Sequence, residues 1–268
     1  MRHKQPLISV LMGVYYKKDD IALLRRSVES ILGQTVSDFE FLICDDGSTK
    51  QAMCYLQDIA AMDHRIKLIR RGNLFSLPEK LNACLDQAQG QFIARMDDDD
   101  YSHPQRFAKQ LAFLEQHSEI SFVGCNVNLW RNEIVGQRCL PELPTVRDFY
   151  FVQPYIHPAL MFRKDALSAV RGYSEERHAI LCEDYDLLLR LYTAGYQGAN
   201  LQDYLLDYTL PATAKGNRKM KHRWNETIIR WQRFGELGCF PGAFPYVIKP
   251  LAVGLLPNKL LKKLKKLT

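Results

Sequence analysis

The chain has 268 residues, of which 47% are hydrophobic and 25% are charged, and its formal net charge is +6. These values fit one ordinary globular domain with a small appendage and exclude an intrinsically disordered or collagen-like chain. The charge is uneven, because residues 215–268 contain thirteen Lys and Arg against two acids, a net +11, which leaves −5 on residues 1–214. The sequence therefore predicts an acidic body followed by a basic C-terminal segment.

The seven cysteines are scattered, with no C-x-x-C pair and no histidine at zinc spacing. This usage is typical of reduced thiols in a cytosolic protein rather than of a disulfide framework or a structural zinc site. The N-terminus lacks the apolar region of a secretory signal, and prolines and a lysine interrupt the most apolar stretch, residues 239–256. We therefore expect a cytoplasmic protein without a membrane-spanning helix.

Short apolar runs rich in β-branched residues alternate with helical patterns along the first half of the chain. In chain order the predicted elements are a strand over Ile8–Val14, a helix that stops at Gly33, a strand over Phe39–Cys44, a helix around Leu56, a strand over Ile66–Ile69, a helix from about Pro78 to Gly90, a strand over Gln91–Met96, a helix around Leu111 and a strand over Ile120–Val127. This alternation predicts an α/β fold, with a mostly parallel sheet covered by helices on both faces.

The second half is less regular. Four prolines interrupt the stretch from Trp130 to Pro158, which predicts loops. A helix is predicted from about Glu183 to Ala194, because acidic residues occupy its first turn and Gly195 follows its end.

Acidic residues cluster at three places, and ligands of open parallel sheets bind at the carboxyl ends of the strands. The first cluster, Asp45-Asp46-Gly47-Ser48, directly follows the second predicted strand. Taken alone, it is equally compatible with an ordinary strand-to-helix turn.

The second cluster, Asp97 to Asp100, follows the fourth strand. Four adjacent carboxylates repel one another unless a cation or several hydrogen-bond donors offset their charge. Alternate side chains of an extended segment share a face, so Asp97 and Asp99 can address one site. Their hard oxygens suit Mg²⁺ or Mn²⁺. The alternative is a solvated acidic loop, which the preceding buried strand disfavours.

The third cluster, Glu183-Asp184-Tyr185-Asp186, opens the predicted helix. Carboxylates are favoured at helix N-termini by the helix dipole alone, so this cluster is informative only together with the other two.

The ordered set of motifs resembles glycosyltransferase family 2, whose members have the GT-A fold and use nucleotide sugars in bacterial polysaccharide and O-antigen assembly. The matching stretches are Ile8–Tyr15, Asp45–Ser48, Asn73–Asn82, Met96–Asp100, His157–Pro158 and Cys182–Leu187, within residues 7 to about 208. The resemblance implies a GT-A domain over residues 1–210, with a Rossmann-like nucleotide-binding sheet.

The resemblance also implies the positions that bind the nucleotide. Val14, Tyr15 and Asp45 would line the nucleobase pocket, and Arg71, from the Arg70–Arg71 pair, would contact the same base. Gly13 departs from the commoner pattern, in which a proline is frequent at this position.

Asp97 and Asp99 occupy the D-x-D positions of the family motif. By resemblance, Asp97 and Asp98 would contact the nucleotide sugar, and Asp99 with Asp97 would bind the Mn²⁺ or Mg²⁺ that bridges the two phosphates. The chain has no later histidine in a family motif to complete the metal shell.

Asp184, with Glu183 beside it, stands where the family places its general base. His157 is a candidate contact to donor or acceptor, and an ordinary loop histidine is the equal alternative. The segment from Tyr208 to Leu210 replaces the frequent Tyr-Arg pair, which leaves open the groups that close over the donor.

These positions predict an inverting transferase that moves a hexose or N-acetylhexosamine from a UDP-sugar to a hydroxyl of a lipid-linked or other glycan acceptor, in lipopolysaccharide or capsule synthesis. UDP-glucose, UDP-galactose and UDP-N-acetylglucosamine are the expected donors. Two alternatives remain. A sugar-1-phosphate nucleotidyltransferase would carry a glycine-rich loop with a lysine near the first strand, which this sequence lacks. A non-catalytic nucleotide-sugar-binding protein is disfavoured, because Asp97, Asp99 and Asp184 are all retained.

Residues 211–268 form the predicted C-terminal extension. On a helix, the leucines of its last ten residues form one stripe, and five lysines occupy the other positions. This pattern predicts an amphipathic helix on an anionic membrane surface, so we expect the enzyme to be peripheral on the inner face of the cytoplasmic membrane. The alternatives are a solvated helix and a helix packed on the body. Nucleic acid is not an expected partner, because the body has no recognition motif.

Overall fold

The computed structural model describes residues 5–16, 21–72, 76–210 and 220–255. The strands are β1 (Ile8–Val14), β2 (Phe39–Asp45), β3 (Ile66–Arg70), β4 (Phe92–Arg95), β5 (Tyr101–Ser102), β6 (Ile120–Arg131), β7 (Glu133–Arg138), β8 (Met161–Arg163) and β9 (Gln197–Thr209). The helices are α1 (Ala22–Leu32), α2 (Lys50–Ala61), α3 (Leu77–Leu85), α4 (Arg106–Gln116), α5 (Lys164–Ala169), α6 (Glu183–Thr193), α7 (Met220–Glu236) and α8 (Phe244–Leu255).

All the described strands form one sheet in the order β3-β2-β1-β4-β8-β6-β9-β5, with β7 paired to β6. Strands β1 to β4 run parallel to one another, as predicted. The other half is mixed, because β5, β7 and β8 run antiparallel to their neighbours. Asn132, whose φ of 63° lies in the left-handed region, joins β6 directly to β7 in a tight hairpin inside the segment predicted as loops.

The two faces of the sheet carry separate apolar cores, as the alternation of side chains along a strand requires. Ile8, Val10 and Met12 of β1 pack with α1, α2 and α4 on one face. Leu11, from the same strand, packs on the other face with α3, α5 and α6. The prediction of helices on both faces is therefore confirmed.

Strand β6 extends to Arg131, beyond the predicted end at Val127, and the predicted end of α3 is wrong. Helix α3 ends at Leu85 rather than at Gly90. Gly90 lies against β1, where an added Cβ would be 2.5 Å from the backbone nitrogen of Ser9. The glycine is thus required by close packing beside the sheet and not by a helix end.

The C-terminal helices pack on the body of the protein. Ile229 and Phe234 of α7 and Val247 of α8 are buried in the same core as α6. Arg230 donates to the carbonyl oxygen of Tyr150 at 3.1 Å, and Arg233 is ion-paired with Asp186 of α6 at 2.8 Å. Two cations of the basic segment are therefore used in internal contacts.

The boundary at residue 210 stays a prediction, and the lysine-leucine end of the chain lies outside the described residues. Within the described ranges, none of the helices combines the length and apolar character needed to cross a bilayer.

Candidate active site

A cleft of about 430 Å³ opens where β4 ends. Four of the residues singled out in the sequence line it: Asp97, His157, Glu183 and Asp184. They come from segments up to 87 positions apart in the sequence. The fold thus brings the second and third acidic clusters to one cavity.

The acidic cluster after β4 divides into two parts. One carboxylate oxygen from each of Asp97, Asp99 and Asp100 lies within 4.8 Å of the others. Asp97 and Asp99 therefore lie close enough to address one site, but Asp100 joins them, because the chain bends at Asp98 and Asp99 instead of continuing the strand. Asp98 instead accepts a hydrogen bond from the hydroxyl of Tyr16.

A buried arginine holds the first of these carboxylates. Nη2 of Arg95 donates to Oδ1 of Asp97 at 2.6 Å, and Nη1 donates to the carbonyl of Met96. Arg95 is the last residue of β4 and lines the cleft with hardly any exposure of its side chain. Arg95 was not among the predicted site residues, although an arginine at the end of a buried apolar strand was a visible signal.

Residues at the end of β9 hydrogen-bond to Asp99 and Asp100. The backbone nitrogen of Thr209 donates to Oδ1 of Asp100 at 2.7 Å, and the Thr209 hydroxyl donates to the backbone carbonyl of Asp99. Tyr208 lines the cleft beside them. The segment that departs from the family pattern is therefore in contact with the acidic cluster.

These carboxyls are electrostatically crowded. Burial, with repulsion from Asp97 and Asp98, raises the pKa of Asp99 to about 7. Burial and the neighbouring aspartates also raise the pKa of Asp100 well above its ordinary value. Oδ2 of Asp100 is buried and has no hydrogen-bond partner among the described residues. Three hard oxygen donors, one of them without a partner, fit a divalent cation such as Mg²⁺ or Mn²⁺.

The carboxylate of Asp184 is fixed by neighbouring donors. Oδ2 accepts from Nε2 of Gln153 at 2.9 Å, and Oδ1 accepts from the backbone nitrogen of Tyr185 at 2.8 Å. Glu183 is nearly buried beside it at the start of α6. Burial, with repulsion from Asp184, raises the pKa of Glu183 to about 7. The two adjacent acids therefore have different environments, and Glu183 holds its proton more tightly than an ordinary glutamate.

His157 is buried at the back of the cleft. Its Nε2 lies 2.8 Å from the hydroxyl of Tyr173. Burial and the positive charge of Arg95 lower the pKa of His157 well below its ordinary value. The ring is therefore neutral at physiological pH and acts through hydrogen bonding or shape rather than charge.

The residues predicted for the nucleobase lie together at the ends of β1 and β2. Val14 and Asp45 are register partners in adjacent strands. The carboxylate of Asp45 accepts from the backbone nitrogens of Gly47 and Ser48 at 3.2 and 3.1 Å. The backbone nitrogen of Arg71 donates to the carbonyl of Asp45 at 3.2 Å.

Lys80 contacts several residues of this region, although it was not among the predicted site residues. Its Nζ lies 3.2 Å from the carbonyl oxygen of Val14, 3.3 Å from Oδ2 of Asp46 and 5.7 Å from the ring centroid of Tyr15. The lysine is buried. A Cβ added at Gly13 would lie 3.1 Å from Cβ of Lys80, so this crowding accounts for the glycine at that position.

Comparison with known proteins gives three kinds of agreement. The family model described as "Glycosyl transferase family 2" matches residues 9–171. EpsE of Bacillus subtilis (strain 168) is 33% identical, over 96% of this chain and 92% of its own length. The O-antigen biosynthesis glycosyltransferase WbnJ of Escherichia coli is 32% identical, over 76% of this chain and 80% of its own.

A third relative from Escherichia coli, the UDP-Gal:alpha-D-GlcNAc-diphosphoundecaprenol beta-1,3-galactosyltransferase, is 27% identical over 84% of this chain and 82% of its own. Among solved structures, Staphylococcus aureus TarS 1-349 in complex with UDP-GlcNAc matches with a TM-score of 0.70 and 17% identity, over 94% of this chain and 76% of its own. The mannosyltransferase PcManGT from Pyrobaculum calidifontis, in complex with GDP-Man and Mn²⁺, matches with a TM-score of 0.66 and 16% identity, over 98% and 80%.

Proposed function

The chain belongs to glycosyl transferase family 2 and has the GT-A fold, and from this premise we propose that it is an inverting UDP-sugar transferase with Asp184 as its general base. The observation that carries the proposal is that Asp97 and Asp184 line one cleft, each held in place by a neighbouring donor. Family membership decides against the nucleotidyltransferase alternative.

The donor is a UDP-sugar, and we assign its base to the pocket formed by Val14, Tyr15, Asp45 and Arg71. The carboxylate of Asp45 already accepts two backbone hydrogen bonds, but its oxygens keep lone pairs for an N–H of the uracil ring. The TarS complex with UDP-GlcNAc and the galactosyltransferase that uses UDP-Gal support this nucleotide class.

Asp97 and Asp99, with Asp100 as an added ligand, would hold Mg²⁺ or Mn²⁺. Bound there, the cation would offset the charge of the diphosphate as it leaves. The mutual proximity of the three carboxylates supports the assignment, as does the Mn²⁺ of PcManGT. Asp97 and Asp98 are assigned to the nucleotide sugar.

Asp184 removes the proton from the acceptor hydroxyl while that oxygen attacks the anomeric carbon on the face opposite the diphosphate. One displacement of this kind inverts the configuration. The hydrogen bonds from Gln153 and from the backbone of Tyr185 orient the carboxylate. A carboxylate is a weak base, so proton transfer is concerted with bond formation.

Glu183 and His157 shape the same cleft. Glu183, with its raised pKa, carries its negative charge next to Asp184 in only part of the molecules near neutral pH. His157 stays neutral and is available to hydrogen-bond donor or acceptor.

The acceptor is a hydroxyl of a lipid-linked glycan used in cell-surface polysaccharide or lipopolysaccharide synthesis. The galactosyltransferase relative is named for a diphosphoundecaprenol-linked acceptor, and WbnJ is named for O-antigen biosynthesis. Both names support this class of acceptor. The basic extension after residue 210 would keep the enzyme peripheral on the inner face of the cytoplasmic membrane.

The proposal is tested by incubating purified protein with a panel of UDP-, GDP- and TDP-sugars, Mn²⁺ and a polyprenyl-diphosphate-linked sugar, and measuring release of the nucleoside diphosphate. We expect release from one UDP-hexose or UDP-N-acetylhexosamine that depends on the acceptor. Binding of UDP-sugars without any release would identify the non-catalytic alternative instead. Release from GDP- or TDP-sugars alone would contradict the donor assignment.

A further inference from the structure

Helix α7 presents aromatic side chains to solvent on the side opposite its buried face. Trp224 and Trp231 are 56% and 55% exposed, while Ile229 and Phe234 are buried against the body. Residues seven apart lie nearly one above the other on an α-helix, so the two tryptophans form a single stripe. Met220, also exposed, extends this stripe by one turn.

Helix α8 has the same character. Phe244, Ile248 and Leu255 are exposed, Leu255 by 78%, and their spacing places them on one side of the helix. Lys249 is the only charged residue within α8, and its Nζ donates to the carbonyl of Phe151 on the body at 2.8 Å. The outward side of α8 is therefore apolar and uncharged.

The two helices form an antiparallel hairpin. A Cβ added at Gly254 would lie 2.5 Å from Cδ of Arg223 and 3.0 Å from Cε of Met220, so the end of α8 meets the start of α7. At the other end, the rings of Trp231 and Phe240 are 4.9 Å apart. We call the exposed apolar residues of this hairpin the hairpin face: Met220, Trp224, Trp231, Phe244, Ile248 and Leu255.

We propose that the hairpin face docks on an anionic lipid bilayer, with the two tryptophans and the apolar side of α8 inserted at the interface. Tryptophan suits this position because its ring is apolar and its N–H remains able to hydrogen-bond near the headgroups. Helix α8 ends at Leu255, and thirteen residues with five lysines follow it in the sequence. Lysines next to an apolar face favour anionic lipid over a neutral surface.

Two other occupants fit less well. A second copy of the chain would bring together two segments of charge +11, which repel each other. The thirteen residues after Leu255 contain five lysines, and α8 offers those lysines no acidic partner.

The hairpin also lies at the rim of the cleft. Phe151 and Val152 line the cleft and are exposed, and the ring of Tyr246 packs 5.0 Å from that of Phe151. Arg230 of α7 lines the cleft and donates to the carbonyl of Tyr150. If the hairpin face docks on the membrane, the cleft lies beside acceptors held there, an inference that rests on the proposed function. Docking itself requires no catalysis.

The test uses the full chain with Trp130→Phe, which leaves Trp224 and Trp231 as its only tryptophans. Emission is measured with vesicles of phosphatidylcholine alone, or with about one third phosphatidylglycerol, each with and without lipids brominated along the acyl chain. We expect a blue shift and bromine quenching that require the anionic lipid. Sedimentation of the protein with vesicles without any quenching would overturn the proposal and assign attachment to the lysine-rich end alone.

A charge-insertion variant gives the second measurement. In the full chain, Trp224→Glu with Trp231→Glu should weaken partition to anionic vesicles by about tenfold or more. Ile134→Glu, at an equally exposed residue of β7, should leave partition unchanged. Equal losses in both variants would overturn the proposal, as would a concentration-dependent dimer that only the tryptophan variant abolishes. Binding of UDP with Mn²⁺ in solution, measured by calorimetry, should be the same in all proteins, so failure of docking is distinguishable from failure of the proposed function.

Discussion

Nη2 of Arg95, an almost wholly buried guanidinium, donates to Oδ1 of Asp97 across 2.6 Å. Burial and then the charge of this arginine lower the pKa of His157, and Arg95 lies in the cleft with Glu183 and Asp184. A single buried cation thus stands among several acids that would otherwise repel one another. Arg95 is a positioning residue, because it acts on the site through Asp97.

Arg95→Lys should fold but lose the fixed geometry of this contact, because an ammonium lacks the planar fork of a guanidinium. We expect Mn²⁺-dependent binding of UDP to weaken by roughly 10- to 100-fold, the effect typical of residues that orient a metal ligand. Isothermal titration calorimetry of UDP with Mn²⁺ measures it. Arg163→Lys is the control, because Arg163 of the neighbouring strand β8 donates to the carbonyls of Ile120 and Leu114 and is not among the residues that line the cleft. Similar losses in both variants would assign Arg95 a purely structural role.

Lys80→Met removes the link between the carbonyl of Val14 and Oδ2 of Asp46. Because this link shapes the nucleobase pocket but lies away from the reacting atoms, we expect KM for the donor to rise by about tenfold with little change in kcat. Lys67→Met, which breaks an ion pair with Glu40 on the same sheet, should change neither constant. A fall in kcat at unchanged KM would contradict this role of Lys80.

Because of Glu183, the stability of the folded protein depends on pH in a predictable direction. Its pKa is about 7 in the folded chain against an ordinary 4.5, so between these values the folded state holds a proton that the unfolded state has lost. Stability therefore falls as pH rises from 4.5 to 7, and the full penalty, on the order of 3 kcal/mol, applies above pH 7.

Glu183→Gln removes this penalty. We expect its Tm to exceed that of the wild type by about 5 °C at pH 8 and to equal it near pH 4.5, measured by differential scanning calorimetry. Glu115→Gln, at an exposed residue of α4, should show no difference at either pH. The same Tm difference at both pH values would mean that the effect does not arise from titration of Glu183.

Metal removal tests the cluster of Asp97, Asp99 and Asp100. Excess EDTA should abolish transfer, and added Mn²⁺ or Mg²⁺ should restore it, because without a cation held by the three carboxylates nothing there would offset the charge of the leaving diphosphate. Asp100→Asn should weaken the cation's affinity while leaving the chain folded, as judged by circular dichroism. Turnover undiminished in EDTA would contradict the assignment of a divalent cation to this cluster.

The predictable part of this structure is local. Strands β1 to β4 and the helices between them follow from apolar periodicity. The start of α6 at Glu183 follows from the acids of its first turn.

The unpredicted part depends on contacts between distant segments. The sequence shows that Arg95 and Lys80 are charged residues within apolar patterns, but it does not show which residues they contact. Gln153 reaches Asp184 from the segment that prolines made irregular, 31 positions away in the sequence. The antiparallel strand β8 has only three residues, too few for periodicity to distinguish it from a loop.

Asp184 is the proposed base of a UDP-sugar transfer. The most direct measurement compares Asp184→Asn with the wild type in acceptor-dependent UDP release and, by calorimetry, in UDP binding with Mn²⁺. The carboxamide keeps the shape of the side chain but cannot take a proton, so we expect release to fall by roughly 10³-fold or more while the Kd for UDP stays within about threefold. Wild-type release from Asp184→Asn would contradict the assignment and with it the proposed mechanism.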